Sequence, residues 1–317
     1  MNVEHLSRLA KHLKTEFAKV IVGQQEAADE LLLALLCGGH ALIEGVPGIA
    51  KTLAAKTLAR ICNLEFQRVQ CTADLMPADV MGTNVFNMAT STFSLHRGPV
   101  FTDLLLVDEI NRTSPRTQAA LLEAMEERQV TIDGVRNPLP ANFTVVATQN
   151  PIEFEGTYPL PEAQLDRFAL KISLSYPSVA DETELLVRTE HGFDARKLDV
   201  LDLVPIEPGL LDAARAEVQT VRVQEALHRY LINVIRRTRD WPAISLGASP
   251  RASVTLFNVS RALAGIDGRD FLIPDDIKAA APPVLRHRLL LKPEADLEGI
   301  TADQTISEIL AAVEVPK

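Results

Sequence analysis

The chain has 317 residues and a formal net charge of −10, from 32 basic and 42 acidic side chains. That length exceeds the usual size of one hydrophobic core, so two domains are expected. The acidic balance argues against a surface coated by nucleic-acid phosphates, although it is compatible with a local basic pore.

The distribution of apolar residues indicates a soluble protein. Hydrophobic residues make up 47% of the chain, which is enough for a buried core. The longest apolar run, residues 31–37, is far shorter than the roughly 18 residues of a membrane helix. The amino terminus carries Glu4, Arg8 and Lys11 and has no secretory pattern. We therefore expect a cytoplasmic protein with no membrane span.

Cysteine and histidine give no sign of a metal site. Cys37, Cys62 and Cys71 share no metal-ligand spacing, so we expect buried, indifferent thiols. The seven histidines include no pair at i, i+4 and no acidic neighbours suggestive of zinc.

The first half of the chain alternates short apolar strands with helical patterns. This alternation is typical of a parallel sheet wrapped by helices. Helices are predicted over 24–37, 51–62 and 116–128. Strands are predicted over 40–44, 66–71, 104–108, 143–148 and 168–174. The sequence thus predicts an α/β fold.

Two segments interrupt that alternation. Residues 85–88 and 92–95 flank a short polar stretch and are able to pair as a hairpin. Residues 129–132 run into Asp133-Gly134, which is a strong signal for a tight turn. Plain connecting loops are the alternative at both places.

From about residue 178 the strand pattern stops and helical spacing of apolar residues takes over. Helices are predicted over 182–190, 208–218, 223–238, 251–264 and 274–291. We divide the chain into a core, 1–177, with hairpin insertions near 82–97 and 128–137, and a linker with a smaller all-helical lid, 178–317.

The segment after the first strand has the composition of a phosphate-binding loop. Backbone N–H groups of such a loop and of the helix that follows point at phosphates. Lys51 is suited to the β- and γ-phosphates of a nucleotide, and the Thr52 hydroxyl to Mg²⁺. The residues assigned to nucleotide binding here are Gly45, Val46, Pro47, Gly48, Ile49, Ala50, Lys51, Thr52 and Leu53.

One position departs from the usual phosphate-loop pattern. Ala50 precedes the lysine where glycine is usual. An added methyl group still allows close approach of a phosphate if the local φ is negative. The alternative is a loop that resembles a phosphate-binding loop by chance.

Two further strands end in polar side chains. The apolar run 104–107 ends in Asp108-Glu109, and two carboxylates at the end of a buried strand are costly without partners. Asp108 fits the Mg²⁺-side acid, and Glu109 fits the group that polarises the attacking water. Asn150 follows the strand 143–148 and is suited to the γ-phosphate or the water. The alternative for Asp108-Glu109 is a strand end that simply emerges into solvent. The alternative for Asn150 is a turn residue before Pro151.

Six motifs in this order resemble the MoxR family of AAA+ ATPases. They are Gly-Val-Pro-Gly-Ile-Ala-Lys-Thr (45–52), Arg-Gly-Pro-Val-Phe (97–101), Asp-Glu-Ile-Asn-Arg (108–112), Ala-Thr-Gln-Asn-Pro (147–151), Leu-Pro-Glu-Ala-Gln-Leu-Asp-Arg-Phe (160–168) and Gly-Ala-Ser-Pro-Arg-Ala (247–252). The family's own loop carries alanine before the lysine, so the resemblance accounts for Ala50.

The resemblance implies roles for residues that spacing alone leaves open. Arg167 corresponds to an arginine finger that reaches the ATP of a neighbouring subunit, with a pairing to Asp166 or Glu162 as the alternative. Arg251 corresponds to the sensor-2 arginine, which touches the γ-phosphate from the lid; a simple surface arginine is its alternative. Val22 and Gly23 correspond to the segment that packs on adenine, or else form an apolar entry to the first helix.

The same resemblance implies a five-stranded P-loop NTPase core with a helical lid and a ring, by analogy a hexamer. It implies ATP and Mg²⁺ as cofactors, and chaperone-like remodelling or metal insertion with a client and a von Willebrand factor A domain protein. A nucleic-acid motor is the alternative function, although no basic stripe with interleaved aromatics supports it. A scaffold that binds ATP without turnover is a third hypothesis.

Overall fold

A computed structural model describes residues 3–151, 156–195, 197–198 and 201–316. The strands are β1 (Ala41–Glu44), β2 (Phe66–Gln70), β3 (Gly82–Asn87), β4 (Thr92–Arg97), β5 (Leu104–Asp108), β6 (Gln129–Ile132), β7 (Val135–Pro138), β8 (Thr144–Gln149), β9 (Leu170–Ser173), β10 (Ile244–Leu246) and β11 (Leu290–Leu291). The helices are α1 (Glu4–Ala18), α2 (Gln25–Leu36), α3 (Lys51–Ile61), α4 (Pro77–Met81), α5 (Pro115–Glu127), α6 (Glu162–Leu165), α7 (Val179–Glu190), α8 (Leu210–Val218), α9 (Glu225–Arg239), α10 (Pro250–Ile266), α11 (Pro274–Leu285), α12 (Pro293–Leu297) and α13 (Ala302–Ala312).

The core is a parallel sheet in the order β2-β5-β8-β1-β9. Side chains of β5 alternate between two apolar clusters, with Leu104 and Leu106 on one face and Leu105 and Val107 on the other. Helices cover both faces, which explains why this strand is a continuous apolar run. The predicted five-stranded α/β core is confirmed.

Both hairpins form. Strands β3 and β4 pair antiparallel, as do β6 and β7. Asp133 and Gly134 both have positive φ, 47° and 79°, as a tight hairpin turn requires. The amide of Asn84 donates a hydrogen bond of 2.7 Å to Asp133, so the two hairpins touch.

The second half is mainly helical but contains one small sheet. Strands β10 and β11 pair antiparallel, whereas the sequence predicted no strand there and a helix over 274–291. That helix ends at Leu285. The chain then turns so that Arg288 binds the carbonyls of Phe168 and Ala169, which takes it out of the helical path. The division at 177/178 stays a prediction.

Helix α1 was not predicted, although its spacing was available. Leu6, Leu9, Leu13 and Phe17 are fully buried on one face, at the three- and four-residue steps of an amphipathic helix. The helix packs against both the core and the lid. Glu217 of α8 accepts the backbone N–H of Leu6 at 2.9 Å, which satisfies a free donor of the first turn.

The three cysteines are free thiols with a raised pKa. Burial raises the pKa of each thiol to about 12. No helix in the described parts of the chain is long and apolar enough to cross a membrane.

Candidate active site

A cavity of about 530 Å³ lies at the carboxyl edge of the sheet, where β1 leads into α3. We call it the nucleotide cavity. Of the residues predicted to bind nucleotide or act on it, those that line the cavity are Val22, Pro47, Gly48, Ile49, Ala50, Lys51, Thr52, Leu53, Asp108, Glu109 and Asn150. Gly23, Gly45, Val46, Arg167 and Arg251 do not line it.

The loop between β1 and α3 uses two left-handed residues. Gly48 has φ of 86°, a conformation that glycine adopts without steric strain. Ala50 has φ of 65° and ψ of 22°. The condition of a negative φ at Ala50 is therefore not met, because this residue makes the turn that starts α3. An alanine in this region costs about 1–2 kcal/mol.

Lys51 begins α3 and folds back over the loop. Its ammonium donates to the carbonyl of Gly45 at 2.7 Å and to that of Gln149 at 3.3 Å. These carbonyls lie at the ends of neighbouring strands, β1 and β8. The positive charge is thereby held at the carboxyl edge of the sheet, where ligands of open α/β sheets bind.

Asp108 is the centre of a hydrogen-bond network. One carboxylate oxygen accepts from Thr148 at 2.6 Å. The other accepts from the Thr52 hydroxyl at 3.3 Å and from Arg68 at 2.7 Å. Thr52 and Asp108 thus present two oxygen ligands side by side. This fits Mg²⁺, which takes few protein ligands and completes its shell with phosphate and water.

Glu109 is held in a strained conformation beside the cavity. Its backbone is left-handed, with φ of 59° and ψ of 53°, and its N–H donates to the Thr148 hydroxyl at 2.9 Å. Its carboxylate pairs with Arg112 and accepts from Gln70, each at 3.1 Å. Such strain persists only where the surroundings impose it, which is common at active sites. In this conformation Glu109 lines the nucleotide cavity from the end of β5.

The end of the cavity formed by residues 20–22 and α7 carries apolar side chains beside two acidic residues, Asp181 and Glu182. Val20, Ile21 and Val22 line it together with Leu185 and Phe193. Apolar walls of this kind are suited to the flat face of a base.

Gly23 acts at this end without lining the cavity. It has φ of 74°, and a Cβ there would lie 2.5 Å from the carboxyl of Asp181. The glycine therefore lets α7 approach the Val20–Val22 segment.

Asn150, at the phosphate end, is only 3% exposed.

Arg167 and Arg251 lie together in a second cavity of about 290 Å³, which we call the arginine pocket. Arg167 pairs with Glu126 at 2.8 Å, and Arg251 pairs with the same carboxylate at 2.6 Å. The alternative pairing of Arg167 to Asp166 or Glu162 is therefore not what the structure has.

Arg251 lines the arginine pocket and does not line the nucleotide cavity of its own chain, so its sensor-2 role stays a prediction. Helix α10 has a side-chain cap, since the Ser249 hydroxyl accepts from the N–H of Ala252 and Pro250 is the first helical residue. The same hydroxyl donates to Asp166 at 3.0 Å. This contact docks the start of α10 beside the Arg167 segment and so places Arg251 in the arginine pocket.

Comparison with known proteins agrees with this geometry. The model of the ATPase family associated with various cellular activities (AAA) matches residues 40–170, and the AAA lid domain matches 236–309. The protein YeaC of Bacillus subtilis is 44% identical over 99% of this chain and 93% of its own length. Chaperone MoxR1 of Mycobacterium tuberculosis is 41% identical over 95% of this chain and 81% of its own length. The chain belongs to the MoxR family of AAA+ ATPases.

The fold of this MoxR-family ATPase matches a solved structure as well. A crystallised protein from Cytophaga hutchinsonii, described as a candidate ATPase, superposes with a TM-score of 0.89 at 41% identity. The match covers 99% of this chain and 97% of the other. The MoxR-family chain is accordingly an ATP hydrolase with a P-loop core and a lid.

Sequence reasoning missed several residues of this MoxR-family site. Arg68 and Gln70 bind Asp108 and Glu109 from β2, and Thr148 binds both acids from β8. The sequence carried a signal for Arg68 and Gln70, because residues two apart in a strand share a face. Thr148 had a signal as well, because it is a polar residue at the end of an apolar strand, and the structure buries it fully.

Proposed function

We propose that this MoxR-type ATPase hydrolyses Mg²⁺-ATP at the boundary between two subunits of a ring, by family analogy a hexamer. The observation that carries the proposal is the separation of two sets of residues. The nucleotide cavity holds Lys51, Asp108 and Glu109, whereas Arg167 and Arg251 lie together in the arginine pocket. A neighbouring subunit that brings its arginine pocket to this cavity completes the site.

Charge is the reason why the arginines are needed. Negative charge spreads over the oxygens of the phosphoryl group during transfer, and an arginine finger commonly contributes about 10³–10⁵ in turnover by neutralising it. We propose that Arg167 is the finger and that Arg251 acts beside it on the same neighbour. The interface is then head-to-tail, and such interfaces close into rings when the rotation permits.

The residues of the nucleotide cavity divide the remaining work. Lys51 and the loop N–H groups bind the phosphates, and Val22 packs near the base. Thr52 and Asp108 hold Mg²⁺, which neutralises phosphate charge when bound. Glu109 accepts a proton from the attacking water, and Asn150 orients that water or the γ-phosphate. Fixed donors and acceptors of this kind need little reorganisation during the reaction.

The work done by hydrolysis is proposed from family analogy. The relative from Mycobacterium tuberculosis is named a chaperone, and it is similar over most of both chains. We propose chaperone-like remodelling or maturation of a client, with metal or cofactor insertion as one outcome. A von Willebrand factor A domain protein with a metal-dependent adhesion site is the proposed partner.

The decisive measurement is Mg²⁺-ATPase rate per subunit against protein concentration. We expect the rate per subunit to rise as rings assemble, and Arg167→Ala to lose roughly 10³-fold or more of turnover. Binding of ATP should persist in this variant, because Arg167 does not line the nucleotide cavity. Normal hydrolysis by Arg167→Ala, at a rate independent of concentration, would contradict the shared site. Added DNA should leave the rate unchanged, whereas stimulation would favour a nucleic-acid motor.

A further inference from the structure

Glu126 joins the two arginines of the arginine pocket. It lies in the last turn of α5, whereas Arg167 follows α6 and Arg251 is in the first turn of α10. Its Oε2 accepts from Nε of Arg167 at 2.8 Å, and its Oε1 accepts from Nη2 of Arg251 at 2.6 Å. One carboxylate therefore bridges a guanidinium of the core and a guanidinium of the lid.

The bridge is a charge-assisted one. Hydrogen bonds from Arg167 and then from Arg251 lower the pKa of the Glu126 carboxyl. The carboxylate is therefore ionised at neutral pH, and each of its oxygens accepts from one arginine. Such bonds are roughly twice as strong as those between neutral groups. Two guanidinium groups this close to one another would repel without the negative charge between them.

The bridge leaves both arginines able to bind an anion. Each guanidinium has five N–H donors, and the bonds to Glu126 use only one from each. Arg167 is 29% exposed and Arg251 is 47% exposed, so both are accessible from outside the chain. The carboxylate thus fixes the spacing of the two cations without consuming them.

A second carboxylate fixes the supports of the same two arginines. Asp166 precedes Arg167 and accepts from the Ser249 hydroxyl at 3.0 Å, which ties it to the start of α10. It also accepts from Arg288 of the lid at 2.8 Å. The backbones that carry Arg167 and Arg251 are therefore joined by Asp166, and their side chains are joined by Glu126.

We propose that Glu126 is a positioning residue: its carboxylate holds Arg167 and Arg251 as a pair, so that both reach one phosphoryl group of the neighbouring subunit. This inference rests on the proposed function, because it requires the arginines to act on a neighbour. Without the carboxylate the two side chains separate, and a misplacement of about 1 Å in a catalytic group costs up to about 10²-fold in rate.

The test uses mixtures of two inactive variants. Lys51→Ala subunits lack phosphate binding but keep the arginines, and Arg167→Ala subunits have the reverse defect. Mixed rings regain turnover if the arginines act on the neighbour. Glu126→Gln is then added to one partner at a time, so that the same substitution is measured in both contexts. Glu127→Gln in the Lys51→Ala subunit is the matched control, because Glu127 is an exposed neighbour on α5.

Glu126→Gln in the Lys51→Ala subunit should lower the regained rate about tenfold or more, because that subunit supplies the arginines. In the Arg167→Ala subunit the same change should alter the rate by less than about twofold, since it acts on no working pair. The KM for ATP should stay the same in both mixtures. Equal losses in the two contexts, or none in either, would overturn the role of Glu126 alone. A mixture without Glu126→Gln that regains nothing would overturn the shared site and this inference with it.

Discussion

The nucleotide cavity and the arginine pocket are built in different ways. The phosphate end of the nucleotide cavity is built around one continuous segment, Pro47 to Leu53, to which the ends of β5 and β8 add Asp108, Glu109 and Asn150. The arginine pocket takes Glu126 from α5, Arg167 from the segment after α6, Arg251 from α10 and Arg288 from the chain after α11. The first lies within the core, whereas the second exists only when core and lid pack together.

This difference separates residues that should affect turnover alone from residues that should affect stability as well. The Glu109 carboxylate contacts the half-buried Arg112 and the exposed Gln70, so we expect it to contribute little to the stability of the fold. Side chains of the arginine pocket also fasten lid to core, as Arg288 does through Asp166. Substitution of Glu109 should therefore change turnover at nearly constant stability, whereas substitutions in the arginine pocket should change stability as well.

The largest expected effect concerns Glu109. Glu109→Gln keeps the size of the side chain but removes the proposed base that polarises water, and loss of a general base commonly costs about 10²–10⁴-fold in turnover. ATP affinity and the denaturation midpoint should stay close to those of the unchanged protein. Steady-state ATPase assays, nucleotide binding and chemical denaturation measure the three quantities. Glu123→Gln, at an exposed position on α5, is the control.

A Glu109→Gln variant that keeps more than a tenth of the turnover would assign the proton transfer to another group. A variant that unfolds at a clearly lower denaturant concentration would break the contrast between the two cavities. The ATPase assay and the denaturation experiment use the same purified protein, so a loss of turnover is distinguished directly from a loss of stability.

The same contrast explains how far the sequence alone reaches. The phosphate loop, the Asp108-Glu109 pair and the five strands were predicted, because each depends on residues that are adjacent along the chain. The environment of Arg251 was not predicted, since Ser249 and Asp166 are far apart in sequence and meet only through packing. The sheet of β10 and β11 was missed because its strands are also far apart in sequence and because β11 has only two residues, too few to show a strand pattern.

The next effect concerns the fold of the arginine pocket. Arg288 is 7% exposed and donates to the Asp166 carboxylate and to the carbonyls of Phe168 and Ala169. Arg288→Met should lower the free energy of unfolding by about 3 kcal/mol, because it leaves a carboxylate and several carbonyls without their donor. Arg229→Met breaks an exposed pair with Glu225 and should cost about 1 kcal/mol or less. Equal costs for the two variants would show that the pocket does not fasten lid to core.

The smallest effect lies in the phosphate loop itself. Ala50 has a left-handed backbone, whereas glycine adopts the same φ of 65° without strain. Ala50→Gly should therefore raise the free energy of unfolding by about 0.5 kcal/mol, since relief of strain slightly outweighs the greater freedom of glycine in the unfolded chain. Ala213, in the middle of α8, has right-handed helical geometry. Ala213→Gly should therefore lower the free energy of unfolding by up to about 1 kcal/mol. Chemical denaturation of both variants gives the two signs. A loss at both positions would mean that packing of the Ala50 methyl group, and not backbone strain, decides the stability of the loop.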